Sequence, residues 1–192
     1  MILSGKATVI YVQTDAGRMK ALIVVDYQND FVDGSLGFER AKDLEKLICR
    51  KIEEYLSRKD LVLFTKDCHD HEKYADTLEG KYLPIEHCST EKGMGIYGEV
   101  AKYADESNTI YKDRFGSEDL CARIRQYEGI ESFELCGLVS SICVLSNAVL
   151  LRANFPQVPI VIDAECTAAA DESMNAKALD VMQNLQMDII NR

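Results

Sequence analysis

The sequence predicts an α/β fold of three layers, in which a parallel sheet of roughly six strands lies between helices on both faces. Two observations support this prediction. Short apolar segments alternate along the chain with longer segments whose apolar residues recur at helical spacing. The short segments are also continuous β-branched runs, which are typical of strands that are buried on both faces of a parallel sheet.

The first predicted elements are two strands on either side of a helix. Residues 20–26 (KALIVVD) form a short β-branched run that ends in an acidic residue, which indicates a buried strand. Residues 41–58 place apolar side chains at the spacing of an amphipathic helix, at Leu44, Leu47, Ile48, Ile52 and Leu56. Residues 61–67 (LVLFTKD) form the second predicted strand.

The rest of the chain continues this alternation after a long polar loop. We expect strands at residues 108–113, 132–137, 158–164 and 187–190. We expect helices at residues 98–104, 118–127, 140–154 and 172–185. Parallel sheets of this kind bind ligands beyond the carboxyl ends of their strands. We therefore expect one crevice to contain the residues at or just past the predicted strand ends, namely Asp26, Asp67, Lys112 and Gly137.

The length of 192 residues fits a single domain with a substantial core. The domain is predicted to begin at residue 19, where the stretch MKALIVVDYQNDF starts, and to cover residues 19–192. Residues 1–18 fit the alternation poorly, so we interpret them as an N-terminal extension of unassigned role. Within that extension, residues 7–15 (ATVIYVQTD) are a candidate edge strand.

The composition excludes several classes of partner. The net charge of −10 argues against nucleic acid, whose phosphates it would repel. No apolar run approaches the roughly 20 residues needed to cross a bilayer, and the N-terminus lacks the pattern of a signal peptide. The seven cysteines include no CxxC pair, which indicates reduced thiols. We therefore expect a cytoplasmic protein that binds neither nucleic acid nor membrane.

One short motif is a false match to a cofactor loop. Residues 93–98 (GMGIYG) fit the glycine pattern of dinucleotide-binding loops. Such a loop needs a strand directly before it and a helix directly after it, so that the pyrophosphate meets the helix N-terminus. The preceding residues, HCSTEK, do not read as a strand. The sequence therefore does not predict a dinucleotide cofactor.

Three residues carry the predicted chemistry. Considered alone, Asp26, Lys112 and Cys143 have ordinary explanations: a loop hydrogen bond, a solvated lysine and a core thiol. The stretches around them, however, resemble in order and spacing the three signatures of the isochorismatase-like cysteine hydrolases, a family that includes nicotinamidase. These stretches are DYQNDFVDG (26–34), YKDRFGS (111–117) and CGLVSSICVLSNA (136–148). The resemblance implies the isochorismatase-like hydrolase fold.

The resemblance also assigns roles to these residues. It implies that Cys143 is the nucleophile, Asp26 the general base and Lys112 the third catalytic member, whose charge favours the thiolate. It implies an oxyanion hole formed by the backbone N–H groups of Val139 and Cys143. It further implies a cis peptide bond just before the nucleophile, which we expect between Val139 and Ser140.

All three histidines of the chain lie between positions 69 and 87. Asp67, His69 and His87 resemble the metal ligands of nicotinamidases, and Glu79 is a possible fourth ligand. Such nitrogen and oxygen donors suit zinc first, with iron(II) or manganese as alternatives. The family pattern does not use His71, so we expect it to be exposed. The alternative interpretation is a polar loop with surface histidines and no metal.

The resemblance implies that nicotinamide is hydrolysed to nicotinate and ammonia through a thioester, a reaction of NAD salvage. Phe31, Leu83 and Ser140 are predicted to contact the substrate. The chain has no tryptophan, although many nicotinamidases use tryptophan beside the pyridine ring. Alternatives therefore remain: a related cysteine hydrolase of another small amide, such as a carbamoyl or ureido compound, or a catalytically silent binding domain. The family also implies a possible homo-oligomer.

Overall fold

A sheet of six parallel strands forms the centre of the chain, for which a computed structural model describes residues 17–192. The order across the sheet is β3-β2-β1-β4-β5-β6. The strands are β1 (Met19–Val25), β2 (Leu61–Asp67), β3 (Thr109–Lys112), β4 (Ile130–Leu138), β5 (Ile160–Ala168) and β6 (Asp188–Ile190). The predicted fold class is confirmed. The candidate edge strand at residues 7–15 lies outside the described residues.

Helices cover both faces of the sheet. The helices are α1 (Asn29–Val32), α2 (Glu39–Asp43), α3 (Glu45–Ser57), α4 (Leu78–Tyr82), α5 (Glu91–Met94), α6 (Glu118–Ile124), α7 (Leu145–Asn154) and α8 (Glu172–Asn184). Short 3₁₀ turns at Tyr74–Asp76 and Gly98–Tyr103 lie between them. Within the described residues, no helix has both the length and the apolar character needed to cross a membrane.

The central strand β1 shows how the three layers form. Successive side chains of a strand point to opposite faces, so alternate residues enter different layers. Ala21, Ile23 and Val25 pack among the buried residues of α6, α7 and α8. Leu22 and Val24 pack against α3 on the other face. Each fully buried Val, Leu or Ile side chain among these contributes roughly 1.5–3 kcal/mol to folding.

Some predicted elements differ from the observed ones. The single helix predicted at 41–58 is interrupted, because the N–H of Leu44 bonds to the carbonyl of Ala41, only three residues back. The predicted polar loop after β2 contains two short helices, which Thr77 and Thr90 cap through their side chains. The predicted helix at 98–104 is a 3₁₀ turn, and the strand predicted at 158–164 extends to Ala168.

A buried ion-pair network joins α3 to the sheet. Lys51 Nζ lies 2.7 Å from Asp163 Oδ2 on β5 and also contacts Glu134 on β4. Tyr55 donates its hydroxyl to the same Glu134 carboxylate. Burial by itself raises the pKa of Asp163, but hydrogen bonds from Lys51 and Asn191 lower it below its usual value overall. The network therefore depends on one half-buried ammonium group that contacts two carboxylates.

We expect Lys51→Met to lower the free energy of unfolding by about 3 kcal/mol, because it leaves the buried Asp163 carboxylate and the half-buried Glu134 carboxylate without their cation. The control is Lys46→Met on the same helix. Lys46 is exposed, so this substitution should change the free energy of unfolding by no more than about 0.5 kcal/mol. Urea unfolding followed by circular dichroism measures both. Equal effects of the two substitutions would contradict the assigned role.

The stabilisation should also depend on pH. The pKa of Asp163 is lowered in the folded state, so its contribution is present above the unfolded pKa of about 3.9 and is lost as the pH falls through the folded value. The difference in unfolding free energy between the wild type and Lys51→Met should therefore shrink below about pH 4. A difference that stays constant from neutral pH to pH 3 would rule out this linkage.

Candidate active site

The carboxyl ends of four strands deliver the predicted catalytic and metal-binding residues to one place. Asp26 directly follows β1, Asp67 ends β2 and Lys112 ends β3, while Cys143 lies in the turn after β4. All four are buried, with at most 7% of any residue exposed. Asp67 and Lys112 are also register partners on neighbouring strands. The sheet topology therefore brings together residues that are far apart in the sequence.

The ammonium group of Lys112 is at the centre of this arrangement. Lys112 Nζ lies 2.7 Å from Asp26 Oδ2 and 3.8 Å from Cys143 Sγ. It also lies 3.2 Å from Asp67 Oδ1. Asp26 has a positive φ of 44°, a backbone conformation that non-glycine residues adopt only uncommonly, often at functional positions. Lys112 thus reaches both of the other predicted catalytic residues.

Cys143 lies in a single π-helical turn, Ser140–Val144, which leads into α7. The Val139 carbonyl accepts the N–H groups of Ile142 and Val144, which closes this turn. Val139 and Cys143, the predicted oxyanion-hole pair, therefore lie at its start and within it. π-Helical turns are rare and occur frequently at functional sites.

The cis peptide bond is between Leu138 and Val139. The prediction of Val139–Ser140 was wrong by one residue, since a non-proline cis bond leaves no mark on the residue types around it. Next to it, Gly137 has a φ of +102°, and a Cβ there would lie 2.1 Å from the Val25 carbonyl oxygen. Only glycine fits where β4 passes the end of β1.

The protonation states follow from burial and neighbouring charges. Burial raises the pKa of the Cys143 thiol well above its usual value, and Asp26 raises it further, while Lys112 opposes both. Burial also raises the pKa of Asp26. Burial alone would lower the pKa of Lys112, but Asp26, Cys143 and Asp67 raise it overall. These shifts favour the charged ammonium of Lys112 and the neutral thiol of Cys143, and they make the Asp26 carboxylate more basic than an exposed one.

Beside the three predicted catalytic residues, four side chains form a candidate metal centre. Asp67, His69, Glu79 and His87 each offer one ligand atom, and these atoms all lie within 4.8 Å of one another. His69 Nε2 lies 3.0 Å from Asp67 Oδ2, and His87 Nε2 lies 3.5 Å from Glu79 Oε1. Two imidazole nitrogens and two carboxylates fit zinc, iron(II) or manganese.

The electrostatics of this cluster favour a cation. Although burial lowers the pKa of His87, hydrogen bonds to Asp67 and Glu79 raise it to about 10. The two carboxylates thus create a negative environment within a buried pocket, which a divalent ion would neutralise. The donor set and its charge both fit the predicted metal.

Tyr74 supports the two histidines and was missed by the sequence reasoning. Its ring packs against the rings of His69 and His87, with centroid distances of 5.1 and 5.3 Å. Its hydroxyl donates to the Leu83 carbonyl at 2.8 Å and lies 3.3 Å from His87 Nδ1. His87 Nδ1 also lies 3.0 Å from the Ile85 carbonyl, which leaves Nε2 facing the cluster.

Two further polar residues hold the carboxylates and were also missed. Gln28 exchanges two hydrogen bonds with the backbone of Asp67, of 2.8 and 2.7 Å, through both ends of its side-chain amide. Thr65 donates its hydroxyl to Asp26 Oδ1 at 2.6 Å. The strand period offered a signal for Thr65, because it lies two residues before Asp67 and therefore faces the same side of the sheet.

The predicted substrate contacts have different surroundings. The ring of Phe31 is buried 5.4 Å from that of His87, so Phe31 borders the candidate metal centre. Leu83 is half-buried and offers its carbonyl to Tyr74. The Ser140 hydroxyl is buried and donates to Asn175 Oδ1 at 2.7 Å. All three substrate contacts stay predictions.

His71 and Cys68 lie outside the cluster. The side chain of His71 is 72% exposed, and its Nδ1 contacts the Glu86 carboxylate. Cys68 is half-buried, and its Sγ lies 3.1 Å from Met94 Sδ. The stretch that contains both residues, TKDCHDHEKY (65–74), therefore contributes Asp67 and His69 to the cluster, while His71 faces solvent.

Known proteins resemble the chain over most of its length. A Bacillus subtilis (strain 168) protein named "Uncharacterized isochorismatase family protein PncA" is 30% identical over 178 residues, which are 86% of this chain and 94% of that protein. The crystal structure of the nicotinamidase/pyrazinamidase PncA from Bacillus subtilis matches with a TM-score of 0.78 and 28% identity, over 89% of this chain and 98% of that one.

A pyrazinamidase/nicotinamidase structure from Streptococcus mutans UA159 matches with a TM-score of 0.79 and 27% identity, over 89% of this chain and 99% of the other. The Isochorismatase domain family model matches residues 20–192. The resemblance seen in the three sequence signatures is thereby confirmed. The chain belongs to the isochorismatase family and, as the sequence predicts, is an enzyme of the hydrolase class.

Proposed function

We propose that the chain is a metal-dependent cysteine amidohydrolase that converts nicotinamide to nicotinate and ammonia. The observation that carries this proposal is the buried contact of Lys112 Nζ with both Asp26 Oδ2 and Cys143 Sγ, at 2.7 and 3.8 Å. The names of the related structures, which include nicotinamidase and pyrazinamidase, support the substrate class. A role in NAD salvage and a cytoplasmic location go with this activity.

The first half-reaction forms a thioester. Asp26 accepts the thiol proton as Cys143 Sγ bonds to the amide carbonyl carbon, and the Lys112 ammonium stabilises the negative charge on sulfur. The backbone N–H groups of Val139 and Cys143 donate to the carbonyl oxygen as it becomes negative, and each contributes roughly 3 kcal/mol. The C–N bond then breaks, and Asp26 returns its proton to the leaving ammonia.

The second half-reaction hydrolyses the thioester. Asp26, again a carboxylate, accepts a proton from the attacking water while the new C–O bond forms. The C–S bond breaks and the sulfur recovers its proton from Asp26, so that nicotinic acid leaves and the thiol is restored. The released acid then gives its remaining proton to ammonia and becomes nicotinate. A buried carboxylate of raised pKa suits this cycle, because it both accepts and returns a proton.

Asp67, His69, Glu79 and His87 would hold the metal ion. When bound, the ion would supply a Lewis acid suited to a ring nitrogen such as that of nicotinamide. Phe31 lies beside His87 and would border the bound ring. The four ligands would thereby orient the substrate so that its amide carbon faces Cys143.

A second candidate function is the hydrolysis of another small amide, such as a carbamoyl or ureido compound. The lack of tryptophan in the chain favours this alternative, since a substrate pocket with smaller aromatic side chains would admit other amides. An ammonia-release assay over nicotinamide, pyrazinamide and a set of ureido compounds separates the two. The proposal expects the highest kcat/KM for nicotinamide or pyrazinamide.

Replacing Cys143 with Ala or Ser should lower ammonia release from nicotinamide by at least about 1,000-fold, because no other thiol contacts Lys112 and Asp26 among the described residues. Cys49→Ala is the matched control, since Cys49 is a half-buried thiol on α3, and it should leave the rate unchanged. Unchanged turnover in Cys143→Ala would remove the proposed nucleophile.

Replacing His69 or His87 with Ala should remove the metal, because each provides one of the two nitrogen ligands. Elemental analysis of purified protein should find about one divalent ion per chain in the wild type and little in either variant. His71→Ala should keep both metal and activity, as its side chain is 72% exposed. Full activity after a chelator has removed all metal would defeat the assignment.

A further inference from the structure

A buried asparagine, Asn147, links two of the three sequence signatures. It lies on α7, four residues after Cys143, and none of its surface is exposed. A side-chain amide in such a place is costly unless all its hydrogen-bonding groups have partners. The partners of Asn147 therefore indicate what its amide holds in place.

All the partners lie in the catalytic neighbourhood. Asn147 Nδ2 donates to the Cys143 carbonyl at 2.8 Å and to the Phe115 carbonyl at 3.3 Å. Its Oδ1 accepts the N–H of Ser117 at 3.0 Å. Phe115 and Ser117 belong to segment 113–117, which directly follows Lys112. One amide thus joins the segment after the catalytic lysine to the nucleophile turn.

The sheet alone connects Lys112 to Cys143 only indirectly. Lys112 ends β3, an edge strand, whereas Cys143 follows β4, and β2 and β1 lie between them. Gly116 adds a close contact, since a Cβ there would lie 2.7 Å from Leu150 Cδ1 on α7. Segment 113–117 therefore packs directly on the helix that follows the nucleophile.

We propose that Asn147 is a positioning residue that holds Lys112 Nζ within reach of Cys143 Sγ. This inference rests on the proposed function only in taking Cys143 as the reactive thiol. Asn147 acts through Lys112: without its three hydrogen bonds, segment 113–117 separates from α7 and the ammonium group moves away from the sulfur. The thiol then loses the positive charge that favours its ionisation.

The alkylation of Cys143 by iodoacetamide tests this inference. The rate is measured at a fixed pH on the full-length protein, as purified with its metal. Mass spectrometry of the peptide that contains Cys143 measures the rate without any substrate. Asn147→Leu keeps the side-chain volume and removes all three hydrogen bonds, and alkylation should become about tenfold slower. Asn154→Ala, an exposed position on the same helix, should keep the native rate.

A second variant and a second background make the test specific. The threonine of Asn147→Thr can still donate a hydrogen bond to the Cys143 carbonyl but is too short to reach segment 113–117. This variant should therefore also slow alkylation. It provides the test if Asn147→Leu does not fold. In a Lys112→Gln background, both substitutions should change the rate by less than about twofold, because the charge is already gone.

Two results would overturn the proposal. One is a native alkylation rate in a folded Asn147 variant. The other is an equal slowing in the Lys112→Gln background, which would mean that Asn147 affects Cys143 by another route. Because the assay uses no amide substrate, either result is independent of whether nicotinamide is hydrolysed.

Discussion

The Lys112 ammonium lies between two buried carboxylates, 2.7 Å from Asp26 Oδ2 and 3.2 Å from Asp67 Oδ1. Two carboxylates cannot remain charged this close together inside a protein without a compensating cation. The three residues end or follow β1, β2 and β3, so the order of these strands determines the geometry of the site. Cys143, the proposed nucleophile, follows β4 on the far side of β1 and completes the arrangement.

Asp67 connects the two halves of the candidate site. One of its oxygens faces Lys112, and the other lies 3.0 Å from His69 Nε2. Gln28 fixes its backbone through two hydrogen bonds, so the carboxylate has little freedom to move. Substrate orientation at the metal ligands and covalent chemistry at Cys143 would therefore share one rigid reference point.

The sequence predicted the layered fold because a parallel sheet leaves a strong pattern of apolar runs and helical repeats. Strand ends located Asp26, Asp67 and Lys112, while the roles proposed for these residues came from family resemblance. The supporting residues were harder to predict. Gln28, Tyr74 and the short helices after β2 depend on partners that are brought together only by the folded chain.

We propose that catalysis proceeds by acyl transfer to Cys143. The most direct measurement is rapid quenching of the enzyme with nicotinamide, followed by mass spectrometry to locate the acyl group. We expect a nicotinoyl group on the peptide that contains Cys143, formed at least as fast as ammonia is released. An acyl group on a different side chain, or turnover by enzyme whose Cys143 is fully alkylated, would contradict it.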